Sequence, residues 1–137
     1  PGMDHMQERV NSVKRREDWR PFGPSVLEER ANDLFVSAVP SPYMLRSFSV
    51  RPGWRERLAA VTHVDGTTRP QTVSTEGNPR YRSLIENFNL RTGIPAVLNT
   101  SLNDDKEPIV CTPDDAMRIF GTSGLDALVI GSHIVRR

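Results

Sequence analysis

The apolar run "IPAVLN" passes directly into "TSLN", so that Asn99, Thr100, Ser101 and Asn103 close a buried strand and precede an acidic loop. Side-chain amides and hydroxyls beside the free backbone N–H groups of a strand end form a cradle for phosphate or carboxylate oxygens. An ordinary polar turn uses the same residue types, and for the segment taken alone that is the commoner use. A second candidate is "HVDGTTR" (63–69), where a tight turn sets two threonines and Arg69 immediately after an apolar run. The arginine fork can bind a phosphate bidentately, which a lysine ammonium cannot; a hairpin with a solvated arginine is again the commoner reading. His63 and Asp65 fall short of the ligand number a metal site needs, and no metal site is expected.

The third candidate, "VKRREDWRPF" (13–22), is a charge run of the kind that usually marks a solvated helix end, with Lys14 paired to Glu17 or Asp18. Trp19 and Phe22 flank Arg20, which suggests that the chain turns back into the core and carries a cation that needs a partner. A P-loop and a GxGxxG turn are both missing from the sequence, so a nucleotide would have to be held by arginines and small polar groups.

These segments need a scaffold, and composition says there is one. With 36% hydrophobic and 26% charged residues, the chain lies in the range of folded proteins and far from the disordered class. Its 137 residues suffice for one domain, 1–137, with one core. The 18 basic and 17 acidic residues nearly cancel, which removes the broad positive field of a non-specific nucleic-acid binder and leaves room only for a local anion site. The absence of an apolar stretch long enough for a membrane span, together with the single Cys111, favours a reducing, cytoplasmic setting. Cys111 itself is expected to be a small buried residue at a strand edge.

Met3, Met6, Val10 and Val13 recur at helical spacing and predict a first helix ending near Lys14, stopped by Pro21 and Pro24. "YMLRSFSV", with Met44, Phe48 and Val50 on one face, reads as a half-buried strand, and "LAAVTH" (58–63) as a short apolar strand entering the Asp65-Gly66 turn. "RPQTVS" is extended. Asn78-Pro79 caps a helix with the stripe Tyr81, Leu84, Ile85 and Phe88, ended by Gly93. "TPDDAMRIF" repeats the cap-proline-acid signature at Thr112, and "LDALVIG" with "HIV" supplies one or more closing strands. Alternation of strands and helices in the second half is the pattern of an α/β layer fold.

Taken together, "VNSVKRREDWRPFGPSVL", "AVTHVDGTTRPQTV", "TGIPAVLNTSLNDDKEPIVCTPDDA" and "LDALVIG" resemble, in order and over nearly the whole chain, the C-terminal part of the NodU/CmcH-type carbamoyltransferases. The resemblance implies a YrdC-like α/β fold, a twisted, largely open mixed sheet with flanking helices and a basic cleft. It also implies chemistry: carbamoyl phosphate breaks down to carbamate, and carbamate attacks ATP, brought in with Mg2+, to give carbamoyl-adenylate and pyrophosphate. Lys14 and Arg16 match a Lys-x-Arg signature and Ser101 and Asn103 a Ser-x-Asn signature. Arg20 and Arg69 fall where the family places further phosphate-binding arginines, and Asn99 opens the second cradle. Lys14, Arg20, Arg69 and Ser101 are thereby expected to act in catalysis, and all seven residues in binding.

Small-molecule substrates and an N-terminal actin-like transferase domain, carrying any transferase metal, are the implied partners. Nucleic acid and membrane are not among them. A Gly-Pro-Arg-containing motif that the family carries upstream is absent from this sequence, so a fragment of a longer two-domain enzyme is expected. A nucleotide- or RNA-binding module, or a docking surface without independent catalysis, is the alternative.

Overall fold

The computed structural model describes residues 1–3, 5–15, 17–105 and 107–137. The chain is mixed α/β with small open sheets, the class expected, and divides into two compact units: Pro1–Gln7 with Pro21–Thr100, and Glu8–Arg20 with Ser101–Arg137.

In the first unit the centre is β1 (Gly23–Leu27), buried at every position. It pairs in parallel with β4 (Gln71–Val73), placing Ser25 opposite Gln71, and antiparallel with β5 (Ala96–Asn99), placing Gly23 opposite Asn99. Sequence reasoning took the prolines here only as a helix stop. Proline has no N–H to give a ladder, but the β4 ladder begins at Ser25, one residue beyond Pro24, so the sheet tolerates it.

One face of this sheet is covered by α3 (Pro79–Thr92), whose Ile85 is fully buried against Leu27 and Val73, with Tyr81 and Val97 packed around them. The helix starts and stops as its sequence predicts. Asn78 accepts from the Tyr81 N–H at 3.0 Å, and Gly93 takes the left-handed conformation at φ 69°. Of the predicted stripe, Leu84 instead faces solvent. Arg82 ties the helix to the 3-10 turn Glu28–Arg30 through a two-pronged pair with Glu29, at 2.6 and 3.1 Å, and so holds the Glu29 carboxyl below its usual range.

Two predicted strands are corrected. "YMLRSFSV" yields only β2 (Phe48–Ser49), paired with β3 (Thr67–Thr68), and a single bridge from Val50 to Phe35. Met44 adopts φ 55°, a left-handed conformation incompatible with an extended run. "LAAVTH" forms the 3-10 segment Glu56–Val61, with Leu58 and Val61 buried. A short apolar run satisfies a strand or tight helical turns equally, and here two 3-10 turns meet at a kink at Leu58 (φ −122°), with Ala60 buried as well. Between these elements the Asp65-Gly66 turn is as predicted: Gly66 has φ 79°, and the Asp65 carboxylate accepts from the N–H and hydroxyl of Thr67, which lowers its pKa.

In the second unit, α4 (Pro113–Thr122) packs Ala116 and Phe120 against Leu128 of a hairpin formed by β6 (Ala127–Ile130) and β7 (His133–Arg136). The first helix, α1 (Met6–Lys14), excludes Met3, which is exposed, and runs from the first unit's residues into the second's. Arg9 pairs with Asp126 at 2.7 Å, and Arg15 donates to the carbonyl of Thr122 at 3.0 Å. Cys111, expected to be buried, is exposed in the loop before α4, because its neighbour Thr112 is committed to capping the helix. Of the aromatics thought to fold back around Arg20, Phe22 is buried but Trp19 stands 76% exposed.

The cap of α4 has a pH signature. Asp115 accepts from the Thr112 hydroxyl at 2.7 Å, the Thr112 N–H at 3.1 Å and the Cys111 N–H at 3.4 Å, and these donors hold its carboxyl below the ordinary value. A carboxyl with a depressed folded pKa contributes stability that is complete above its unfolded pKa and lost as pH falls through the folded one. Thermal unfolding followed between neutral and strongly acidic pH should therefore show Asp115→Asn less stable than the parent at neutral pH, with the difference vanishing in acid.

Candidate functional site

Of the residues picked from the sequence, Arg69 and Asn99 belong to the first unit, and Lys14, Arg20, Ser101 and Asn103 to the second. Arg16 lies outside the described residues. Each group is described within its own unit.

In the first unit, the polar residues gather where the three-stranded sheet ends. Asn99 closes β5 opposite Gly23, while Arg69 and Pro70 lead into β4. The approach is close: a β-carbon on Gly23 would stand 2.5 Å from the Met44 Cε and closer still to the Arg69 carbonyl oxygen. Only glycine lets the chain ahead of β4 pass over the start of β1. The Arg69 side chain is exposed, and among the described residues no hydrogen bond or ion pair engages its guanidinium. The same sheet end holds a fixed amide pair. Gln71 Oε1 accepts from the Ser25 hydroxyl at 2.8 Å and from Asn99 Nδ2 at 3.0 Å, and Gln71 Nε2 donates to the Pro42 carbonyl at 3.1 Å. Met44 adds its sulfur 3.5 Å from Asn99 Nδ2. Burial raises the pKa of the nearby Tyr81 hydroxyl, and its contact with Ser25 opposes that shift.

Of the residues at this sheet end, sequence reasoning names Arg69 and Asn99 as candidates, and not Gly23, Met44 or Gln71. A glycine directly before Pro-Ser in an apolar run was the available signal for Gly23. Nothing in "RPQTVS" distinguishes Gln71 from any strand residue facing solvent.

In the second unit, Lys14 at the end of α1 donates to the Ser101 carbonyl at 2.6 Å, the Asn103 carbonyl at 3.2 Å and Asn103 Oδ1 at 2.9 Å. All three of these acceptors are neutral oxygens. The Ser101 hydroxyl also donates to Asn103 Oδ1, at 2.5 Å, and Asn103 Nδ2 donates to the carbonyls of Asp104 and Glu107, each at 3.0 Å. Every polar atom of the Asn103 side chain is thus used to shape the 101–107 loop. Its far side is tied to α4 by Glu107 and Arg118 at 2.7 Å. The structure thus joins Lys14, Ser101 and Asn103 in a single network, with helix α1 clamping the loop. Glu17 lies 3.6 Å from Arg20.

A groove of about 660 Å³ in the first unit is walled by Met3, Met6, Phe88, Ile94, Val97 and Leu98. Its apolar walls cannot replace the hydration of a polyanion. Its one arginine, Arg57, already donates to the carbonyls of Thr92 and Gly93 at the end of α3. The Arg69 sheet end is the better candidate for an anion.

The fold and these clusters define a mixed α/β chain whose three-stranded sheet ends in an exposed arginine, a donor suited to an oxyanion, and in an amide pair of fixed orientation. The family model for the carbamoyltransferase C-terminus matches residues 1–137, and the chain belongs to that family. It is 48% identical over 135 residues to nodulation protein NolNO of Sinorhizobium fredii (strain NBRC 101917 / NGR234), covering 96% of this chain and 20% of the relative. To nodulation protein NolO of Bradyrhizobium diazoefficiens it is 45% identical over 135 residues, covering 96% and 25% respectively. To nodulation protein U of the same species it is 40% identical over 103 residues, covering 75% and 18%. The chain therefore spans about a fifth to a quarter of the length of the curated relatives it matches. Among the described residues no helix is long and apolar enough to cross a membrane.

Two outcomes follow from the geometry. Gly23→Ala should cost about 1–3 kcal/mol of stability by overpacking, read from denaturant unfolding, since the added methyl meets the Arg69 backbone, which cannot move aside as the Met44 side chain can. Asn103→Ala should leave the first unit intact and speed amide hydrogen exchange across residues 101–107, where unchanged protection would show that the Lys14 network does not hold the loop.

Proposed function

We propose that this chain is the carbamate-activating part of an O-carbamoyltransferase, taking up carbamoyl phosphate and ATP with its Mg2+ and forming carbamoyl-adenylate. The observation that carries this reading is Arg69: an exposed guanidinium without a protein partner among the described residues, on a residue whose backbone abuts Gly23, opposite Asn99, at the sheet end. Cations on protein surfaces commonly find carboxylates, and this chain has 17 of them to offer. A guanidinium kept away from them is free to fork onto phosphoryl oxygens.

The reaction balances without an external oxidant or reductant. Water cleaves carbamoyl phosphate to carbamate and phosphate. A carbamate oxygen then bonds to the α-phosphorus of ATP as the bond to the β-phosphate bridging oxygen breaks, and pyrophosphate departs with the electron pair. Carbamate is an anion already, so the chain must supply position and positive charge rather than a base. Arg69 serves that purpose in the first unit. In the second unit, Lys14 and Asn103 set the backbone of the Ser101 loop, and Arg20, Ser101 and the signature residue Arg16 are the proposed contributors to substrate binding. Mg2+ belongs to the nucleotide and lowers the charge of its phosphates.

Transfer of the carbamoyl group to a hydroxyl of a natural product or glycan is assigned to the remaining chain that the longer relatives possess. An actin-like transferase domain of the same enzyme would be the partner, and the cytoplasm, where ATP is abundant, the setting.

Arg69→Ala is expected to weaken carbamoyl phosphate binding at least about tenfold, the loss of one charge-assisted hydrogen-bonded contact, with an unchanged melting temperature. Arg69→Lys should recover only part of it, because a point charge lacks the fork. Calorimetric titration measures both, and equal affinity in the parent and Arg69→Ala would remove the sheet end from the site.

A further inference from the structure

The amide pair at the sheet end carries directional information that the arginine does not. The carbonyl of Pro42 can only accept, so the Gln71 group 3.1 Å away must be its NH2. That carbonyl is held in place, because Ser41 exchanges two hydrogen bonds with Thr72 of β4. The Ser41 N–H donates to the Thr72 hydroxyl at 2.9 Å, and the Thr72 N–H to the Ser41 carbonyl at 3.0 Å. With its NH2 committed, Gln71 must show its oxygen to Ser25 and to Asn99. Asn99 must answer with its own NH2, at 3.0 Å, and the Met44 sulfur lies on that same nitrogen. The reverse orientation would set two amide oxygens against each other. What remains is Asn99 Oδ1, half-exposed, with no donor among the described residues. The sheet end thus presents one acceptor of fixed direction, on the residue opposite Gly23, where the backbone of the unengaged Arg69 also passes.

We infer that Gln71 is a positioning residue that makes this site selective for a carbamoyl group over an acyl group of the same size. The inference rests on the proposed reading of the sheet end as the carbamoyl phosphate site. A carbamoyl NH2 donates to Asn99 Oδ1. The methyl of acetyl phosphate, equal in size and carried on the same phosphate, cannot, and it leaves that oxygen desolvated without a partner. Were Asn99 free to rotate, its NH2 could turn outward and serve the acetyl carbonyl equally well. Gln71 forbids that rotation without touching the ligand.

The test is a pair of calorimetric titrations of the protein, with carbamoyl phosphate and with acetyl phosphate, whose affinity ratio cancels effects on the phosphate contact. The parent should prefer carbamoyl phosphate by about tenfold, one hydrogen bond's worth. Gln71→Leu should bring the ratio close to one while phosphate affinity persists. A merely structural role for Gln71 would lower both affinities together and leave their ratio unchanged. A folded Gln71→Leu variant that retains the preference overturns the inference. A parent that binds both ligands equally overturns it too, yet leaves the anion site standing. A parent that binds neither removes the underlying reading of the site as well.

Discussion

The structure of the first unit depends on one constraint: β1 is hydrogen-bonded along both edges and buried along its whole length. A strand so placed cannot shift register without breaking two ladders and turning its apolar side chains away from Ile85 and the α3 face. Because β4 runs parallel to it and β5 antiparallel, the start of β1, the entrance to β4 and the end of β5 fall at the same end of the sheet. That is why Arg69, Gln71, Gly23 and Asn99, drawn from three distant parts of the chain, become neighbours. Gly23 is the point at which the constraint is tightest, since the backbone ahead of β4 occupies the space a side chain would need.

Polar side chains in both units work by fixing one another before any ligand is present. In the first, a carbonyl orients Gln71, which orients Asn99. In the second, Lys14 and Ser101 orient the Asn103 amide, whose nitrogen holds two carbonyls of its own loop. Preorganised dipoles of this kind need little rearrangement when charge arrives, which is where electrostatic catalysis gains its advantage over water. The exposed ion pairs, such as Arg9 with Asp126 and Arg30 with Asp33, belong to another category. Solvent screens them, and each contributes at most about 1 kcal/mol. The Glu29–Arg82 pair differs because the Arg82 side chain is mostly buried and its contact two-pronged, so it fixes how α3 meets the turn after β1.

Membership of the carbamoyltransferase C-terminus family, in a chain spanning about a fifth to a quarter of its curated relatives, gives these clusters their context. The proposed division of labour is chemically sensible. Activating carbamate requires cations and oriented groups, and transferring it requires recognition of a hydroxyl acceptor.

Local codes carried much of this protein openly in its sequence. Asn78-Pro79, Thr112-Pro113, the Asp65-Gly66 turn and Gly93 each act through their own side chain or backbone within a few residues, so α3, α4 and the turn could be read directly. The family could be read because its motifs recur together, which a single turn or charge run does not achieve. What the sequence left undecided were the elements whose conformation is chosen at long range. "GPSVL" became the central strand only because β4 and β5 close on it from both sides. "LAAVTH" became part of two 3-10 turns that meet at Leu58, with Leu58, Ala60 and Val61 buried, and "YMLRSFSV" was broken by the left-handed Met44. The candidate site divided in the same way. Arg69 and Asn99 were visible as residue types next to strand ends, whereas Gln71 acquired its role from Pro42, 29 positions earlier, and Asn99, 28 later. An amide's direction is set by what its partners can donate or accept, and those partners exist only once the chain has folded.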